Sequence, residues 1–192
     1  MSTAAEISPL LGPLAALQRL LERMGDRGMV IGGIAASLLG KPRLTADLDA
    51  VILLSLSQIP LLLDAAAQEG LLPRIEDADG FARKNHVMLL RHEESLINVD
   101  ISLGMLPFEV EAVERSQLIP VGGLSIRLPT AEDLVIMKGV AHRARDLEDI
   151  RAICDANQDL DMGRVEHWLK QFAETLQMPE IWTDVEKLCG AR

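Results

Sequence analysis

Aromatic residues are scarce in this chain of 192 residues: they make up 3% of it, and tyrosine is absent. The core must therefore be built from Leu, Ile, Val, Ala and Met. Proteins that hold single-stranded nucleic acid by base stacking need several aromatic side chains. The composition argues against a binding platform of that kind.

Basic residues are also few, 19 against 29 acidic ones, and the net charge is −10. The field of the whole molecule therefore repels nucleic acid and anionic membranes. Local exceptions exist at Lys41 and Arg43, at residues 83–86 and at residues 138–145. If these cations converge they can receive phosphates, and if they are scattered they are solvated surface.

The two cysteines, Cys154 and Cys189, belong to no CxxC or Cys/His array. In a chain without a signal-peptide pattern, such isolated cysteines predict reduced thiols in a cytoplasm. The longest apolar runs, such as residues 50–54, have the length of a strand and are too short to span a bilayer. We therefore expect a soluble, cytoplasmic protein with no membrane partner.

The first half of the chain alternates helical and strand patterns. Apolar residues at helical spacing predict a helix over Leu10–Met24. A β-branched run, Met29–Ile31, predicts a strand that stops at Gly32-Gly33, and a helix is expected over Ile34–Leu39. The apolar segment Asp47–Leu54 predicts the next strand.

Further elements complete a mixed pattern. A helix is predicted over Ser57–Gly70, and Phe81–Leu90 and Leu96–Leu103 are expected to form a hairpin with a turn at residues 91–95. A short strand is expected at Ser125–Leu128, after which Thr130 should cap the first of three helices, the others covering 146–157 and 162–176. We predict one α/β (α+β) domain over residues 1–192, with a mixed sheet and helices in residues 25–128 and a helical part in residues 129–192.

Asp47-Leu48-Asp49 is the most informative triplet. Residues two apart on a strand point to the same side, so the two carboxylates lie close together. Their repulsion and lost hydration need compensation, which a divalent cation supplies. A DxD triplet alone is weak, since paired aspartates before a strand are usually a polar turn or a helix cap.

Asp100 and the glycine pair strengthen the case. Asp100 is an acid inside the otherwise apolar strand pattern of residues 97–101, where a carboxylate is costly unless paired or metal-bound. If its strand lies beside that of Asp47, three carboxylates meet and suit a two-metal site. The alternative places Asp100 on the wet face. Gly32-Gly33, between a strand and a helix, would let backbone amides approach a phosphate.

The diglycine turn, the Asp47/Asp49 pair and the later acid Asp100 resemble, in spacing and order, the nucleotidyltransferase superfamily of the DNA polymerase beta type. The resemblance implies a minimal nucleotidyltransferase core, two Mg²⁺ ions held by the three aspartates and a nucleoside triphosphate as substrate. Many superfamily members have Gly-Ser, where this chain has Gly33 followed by Ile34. Ser37 or Thr45 would then supply the phosphate-binding hydroxyl.

The segment from Leu128 to Asp149 resembles the AbiEii-type branch, which includes toxins of bacterial toxin–antitoxin pairs. By that resemblance, Lys138 and Arg145 contact the nucleotide, and Asp146 acts as a general base or orients the acceptor. Lys138, His142 and Arg145 are spaced to share one helix face. The alternative for Asp146 is a surface ion pair.

The resemblance implies transfer of a nucleoside monophosphate to an acceptor hydroxyl, with release of pyrophosphate. The acceptor would be RNA or a protein, and a toxin would have a cognate antitoxin as partner. One alternative is a catalytically inactive nucleotidyltransferase fold that binds nucleotides or proteins. Another is an α/β domain in which these acids coincide by chance.

Overall fold

Nine α-helices and seven strands are found within residues 8–190, the part of the chain that the computed structural model describes. The α-helices are α1 Leu11–Arg23, α2 Gly32–Leu39, α3 Ile59–Gln68, α4 Ala78–Asn85, α5 Pro107–Arg115, α6 Ala131–Ala141, α7 Ala144–Ala156, α8 Met162–Leu176 and α9 Glu180–Gly190. The strands are β1 Gly28–Ile31, β2 Asp47–Leu53, β3 Leu71–Pro73, β4 Val87–His92, β5 Asn98–Gly104, β6 Gln117–Val121 and β7 Leu124–Leu128. Short 3₁₀ turns occupy Ser8–Leu10 and Leu56–Gln58. The predicted mixture of sheet and helices, with helices alone after residue 128, is confirmed.

The described chain divides into two compact units. The first, residues 8–34 and 43–128, is built on a mixed sheet with the strand order β1-β2-β5-β4-β3. β2 and β5 run parallel, whereas the other neighbouring pairs are antiparallel. β6 and β7 form a separate hairpin. The parallel pair at the centre of the sheet brings the starts of β2 and β5 to the same edge.

Alternation along the strands separates an apolar face of the sheet from a polar one. Leu48, Ala50 and Ile52 on β2 are fully buried, and so are Val99 and Ile101 on β5. The side chains between them point to the opposite face because successive side chains alternate in a strand. That second face carries the polar residues of both strands.

Helix α1 supplies much of the remaining core of this unit. Its apolar residues recur at helical spacing, and Leu14, Leu17, Leu20 and Leu21 are completely buried. The helix contacts β7, α3 and β1. Burial of each leucine contributes about 1.5–3 kcal/mol to the stability of the fold. The predicted helix is confirmed, and its buried face anchors the sheet.

The second unit, residues 35–42 and 129–190, is helical. The hydroxyl of Thr130 accepts a hydrogen bond of 3.3 Å from the backbone N–H of Asp133, as the predicted N-cap requires. The amide of Asn157 donates to the carbonyl oxygen of Leu39 at 2.7 Å. Nothing in the sequence indicates that residues 35–42 belong to the same unit as the C-terminal helices.

Two sequence-based predictions are wrong in detail. The expected strand at Phe81–Leu90 begins only at Val87, because the preceding residues form α4. Asp77 caps this helix by accepting a hydrogen bond from the backbone N–H of Gly80, and Arg83 pairs with Asp79 one turn earlier. These local helical interactions outweigh the apolar pattern. The hairpin of β4 and β5 itself is confirmed.

The predicted free thiols are also wrong, since Cys154 and Cys189 form a disulfide with a Cα–Cα distance of 5.4 Å. Cys154 lies on α7 and Cys189 on α9, two helices that pack together in the second unit. The cysteines are 35 positions apart in the sequence, so the sequence alone does not indicate this proximity.

No α-helix within residues 8–190 combines the length and apolar content that are needed to cross a membrane.

Candidate functional site

Asp49 and Asp100 are direct register partners on the parallel strands β2 and β5. Paired residues of adjacent strands point to the same face of a sheet, so both carboxylates lie on the polar face. Asp47 shares that face two residues earlier and is paired with Asn98. The strand adjacency on which the three-aspartate prediction depends is therefore present.

The surroundings of the three aspartates differ. Asp47 is exposed, whereas Asp49 and Asp100 are half-buried. Burial raises the pKa of Asp100 above its ordinary value, against the opposing charge and hydrogen bond of Arg74, and the negative charge of Asp47 raises it further. A cation held between Asp47 and Asp100 would relieve the repulsion between their negative charges.

Gly32 packs directly against Asp49. A Cβ atom at Gly32 would lie 2.0 Å from the Oδ2 atom of Asp49, and the residue has a left-handed φ of +65°. A side chain at this position would both strain the backbone and displace the carboxylate. The glycine is thus required at the point where β1 ends and α2 begins.

Gly33 packs against the side chain of Thr45, as Gly32 does against Asp49. A Cβ atom at Gly33 would lie 2.6 Å from the Oγ1 atom of Thr45. The Thr45 hydroxyl also lies 3.2 Å from both the carbonyl oxygen and the Oδ1 atom of Asp47, to either of which it can donate. Thr45 therefore orients Asp47 in this structure.

Arg74 is a member of this site that the sequence did not indicate. Its Nη2 atom lies 2.5 Å from Oδ1 of Asp100. The only signal is the short apolar run Leu71–Pro73, which forms β3 and ends with a proline. The register of β3 and β4 is what brings Arg74 close to Asp100.

The chemistry of the donors fits Mg²⁺, which prefers carboxylate oxygens and substrate phosphate oxygens. Asp49 and Asp100 can supply two such ligands from one face of the sheet, and Asp47 a third. As the side chains stand, no group of three acidic, histidine or cysteine residues within the described part of the chain is assembled around one point. Arg74 holds Asp100, so full coordination requires side-chain rotation.

The remaining predicted residues lie in the second unit. Lys138 is buried, and its Nζ atom lies 3.2 Å from Oδ1 of Asp146 and 2.7 Å from Oδ2 of Asp149. Ser37 is also buried, and Arg145 is exposed. Lys138 is therefore engaged by two carboxylates of α7 in this structure.

Asp146 is enclosed by cations. Its Oδ2 atom accepts a hydrogen bond of 2.6 Å from Nε of Arg143. Burial on its own would raise the pKa of Asp146, but the hydrogen bond from Arg143 and the charge of Lys138 outweigh that effect and lower it. Asp146 therefore belongs to a buried ion-pair network in this structure, whereas the alternative read from the sequence is an ion pair at the surface. Its role in catalysis stays a prediction.

One spatial prediction in this segment is wrong. Lys138, His142 and Arg145 do not share one helix face, because α6 ends at Ala141 and Arg145 belongs to α7. His142 has a left-handed φ of +50°, which stops the helix, and its backbone N–H donates to the carbonyl oxygen of Lys138. Its side chain lies 3.4 Å from Asp184.

Solved structures share the fold. An antigenic nucleotidyltransferase-like protein from Paracoccidioides brasiliensis aligns with a TM-score of 0.53 and 14% identity, over 96% of this chain and 94% of the other. A candidate nucleotidyltransferase from H. pylori aligns with a TM-score of 0.53 and 17% identity, over 96% of this chain and 84% of the other. At these identities the likeness shows the fold alone.

Sequence comparison identifies the family. No curated protein matches the chain at a significant level. A family model described as nucleotidyltransferase of unknown function (DUF6036) matches residues 13–183, which is most of the chain. The chain therefore belongs to this family of nucleotidyltransferases.

Proposed function

We propose that this protein is a magnesium-dependent nucleotidyltransferase that moves a nucleoside monophosphate from a nucleoside triphosphate to an acceptor hydroxyl. The observation that carries the proposal is the register pairing of Asp49 with Asp100, beside a glycine turn that leaves no room for a side chain. Family membership supports the same class of reaction.

The aspartates would hold the metal ions. Asp47, Asp49 and Asp100 are the proposed ligands, and bound Mg²⁺ would neutralise the triphosphate and lower the pKa of the acceptor hydroxyl. Thr45 keeps Asp47 oriented through its hydroxyl. Asp49 is held in position by Gly32, whose hydrogen in place of a side chain allows the carboxylate to pack against the turn.

The start of α2 is the proposed binding site for phosphate. Backbone N–H groups at a helix N-terminus have no partner within the helix and attract anions. Gly32 and Gly33 have no Cβ, so Asp49 and Thr45 pack against the turn, and the proposed metal ligands lie next to these N–H groups. The resemblance adds Ser37, Lys138 and Arg145 as further nucleotide contacts, and these stay predictions.

The proposed reaction forms one bond and breaks one. The oxygen of the acceptor hydroxyl attacks the α-phosphorus, the bond from that phosphorus to the bridging oxygen of the β-phosphate breaks, and pyrophosphate leaves. The proton of the hydroxyl passes to solvent. Asp146 would act by holding Lys138, because its carboxylate oxygens already accept from Lys138 and Arg143.

The acceptor stays open between RNA and a protein, and the AbiEii resemblance adds the proposal of a toxin with a cognate antitoxin. A net charge of −10 opposes a large RNA-binding surface. A catalytically inactive member of the same fold is the other candidate. It would bind nucleotide and release no pyrophosphate.

The test follows the α- and the γ-phosphate of the nucleoside triphosphate separately. The protein is incubated with a cell lysate, Mg²⁺ and each NTP, labelled in parallel at the α- or the γ-phosphate. Nucleotidyl transfer predicts α-label in a macromolecule and γ-label in pyrophosphate. Both labels are counted as the excess over lysate without the protein. An excess of transferred γ-label would show a kinase reaction instead, and no excess of either label would support the inactive alternative.

A further inference from the structure

Arg74 is held beside Asp100 by the backbone as well as by its side chain. Its backbone N–H donates to the carbonyl oxygen of Leu89 at 3.1 Å, and Leu89 is the register partner of Asp100 on β4. The guanidinium therefore reaches Asp100 across one strand. It lies on the β4 side of Asp100, whereas Asp49 lies on the β2 side.

The ion pair leaves part of the guanidinium unsatisfied. The Nε atom of Arg74 is buried and has no hydrogen-bond partner among residues 8–190. A buried donor without a partner is costly. The contact with Asp100 therefore uses only part of the donor capacity of this arginine, which can hold a second anionic oxygen.

A guanidinium and a metal ion compete for a single carboxylate oxygen. The Nη2 atom of Arg74 lies 2.5 Å from Oδ1 of Asp100. A divalent cation bound to that oxygen would be close enough to repel the guanidinium strongly in a half-buried site. Arg74 must therefore move away from Asp100, or share it at a reduced affinity for the metal.

We propose that Arg74 is an internal counter-ion that neutralises Asp100 until a divalent cation replaces it, and that the released guanidinium then binds a phosphate oxygen of the nucleotide. This inference rests on the proposed function and deepens it. Arg74 is a positioning residue in the first state and a substrate contact in the second. The exchange couples metal binding to nucleotide binding.

The proposal predicts that removing the charge of Arg74 changes the affinities for Mn²⁺ and for NTP in opposite directions. Arg74→Gln removes the competing charge, so the protein should bind Mn²⁺ more tightly in the absence of nucleotide, on the order of tenfold. The same variant should bind NTP more weakly, by about tenfold, because it lacks the charged donor. A purely structural role for Arg74 would weaken both or leave both unchanged.

Arg91, on β4 and paired with Asn98 of β5, offers a matched control. Arg91 is exposed, and its Nε atom donates to the neutral side chain of Asn98 at 3.1 Å. Arg91→Gln makes the same change of charge two positions away from Leu89 on β4. We expect it to leave the affinity for Mn²⁺ within about twofold, since exposed charges are screened.

The experiment measures Mn²⁺ binding to the full chain by electron paramagnetic resonance, and NTP binding in Mg²⁺ by calorimetry. The proteins are wild type, Arg74→Gln, Arg91→Gln, Asp100→Asn and the double variant Arg74→Gln/Asp100→Asn. The gain in Mn²⁺ affinity should vanish in the double variant, because Asp100 mediates it. Arg74→Lys, which keeps the charge, should bind Mn²⁺ like wild type. Arg74→Met, which also removes the charge, replaces Arg74→Gln if that variant does not fold.

The outcomes separate this proposal from the proposed function. If Mn²⁺ binding depends on Asp100 but is unchanged or weakened by Arg74→Gln, the exchange is refuted and the metal site stands. If neither wild type nor Arg74→Gln shows Mn²⁺ binding that depends on Asp100, the exchange and the metal-dependent function are both refuted.

Discussion

Gly32 and the carboxylate of Asp49 touch so closely that even a methyl group at residue 32 would meet Oδ2 at 2.0 Å. This contact ties the turn between β1 and α2 to the carboxylate on β2. A diglycine is a common turn, and here its first residue also determines where a proposed ligand carboxylate lies. Any change at this glycine therefore acts on the site.

Gly32→Ala should abolish activity because its new methyl group displaces the Asp49 carboxylate, and a control variant separates this effect from backbone strain. The new methyl group clashes with Asp49, and the left-handed φ costs about 1–2 kcal/mol for a residue with a Cβ. Gly70→Ala has the same strain at φ +69° but no atom within 4 Å of the new Cβ. Thermal melting should show both losses of stability, and only Gly32→Ala should abolish label transfer. Equal transfer by both variants would contradict the account.

Lys138→Met should destabilise the protein strongly. Lys138 is buried between Asp146 and Asp149, so its removal leaves two buried carboxylates with less compensation, at a cost of about 3–5 kcal/mol. Chemical denaturation measures the loss of unfolding free energy. Lys170→Met removes an exposed lysine paired with Glu166 and should leave the transition nearly unchanged. Similar transitions for the two variants would refute the role of the buried network.

The stability of the protein should fall in acid partly through Asp146. The folded-state pKa of this carboxyl is lowered, so its contribution is present above the ordinary pKa of about 4 and is lost as the pH falls through the lowered value. Asp146→Asn should therefore show a shallower loss of melting temperature below about pH 4 than wild type. Asp155→Asn, at an exposed position of the same helix, is the control. Parallel pH profiles for Asp146→Asn and wild type would contradict this prediction.

The disulfide should stabilise the helical unit. It closes a loop between cysteines that are 35 positions apart in the sequence, which is worth about 4 kcal/mol. Cys154→Ser/Cys189→Ser, or reduction of the wild type, should lower the melting temperature to the same value. Thiol titration under denaturing, non-reducing conditions should find no free cysteine. Two free thiols would contradict the structure.

Much of the site could be predicted because its signals are local. The alternation along β2 and β5 placed Asp47, Asp49 and Asp100 on strands, and the glycine pair marked the turn. In the structure, Asp49 lies opposite Asp100 on the neighbouring strand. The sequence predicts this pairing only if β2 and β5 are assumed to be neighbours.

Arg74, the disulfide and the buried lysine could not be predicted because they depend on contacts that are distant in sequence. β3 has three residues and ends at Pro73, too short for a periodic signal. The sequence suggests Lys138 as a nucleotide contact, but it does not indicate that this lysine is buried against Asp146 and Asp149. His142 could equally have continued α6, and only its left-handed backbone ended the helix.

The most direct test of the central claim compares three aspartate variants in the α-label assay. Asp49→Asn and Asp100→Asn should each reduce transfer by about a hundredfold or more, with circular dichroism and melting close to wild type. Asp64→Asn, on the exposed surface of α3, should retain wild-type transfer. Undiminished transfer by folded Asp49→Asn or Asp100→Asn would show that this pair of carboxylates does not perform the reaction.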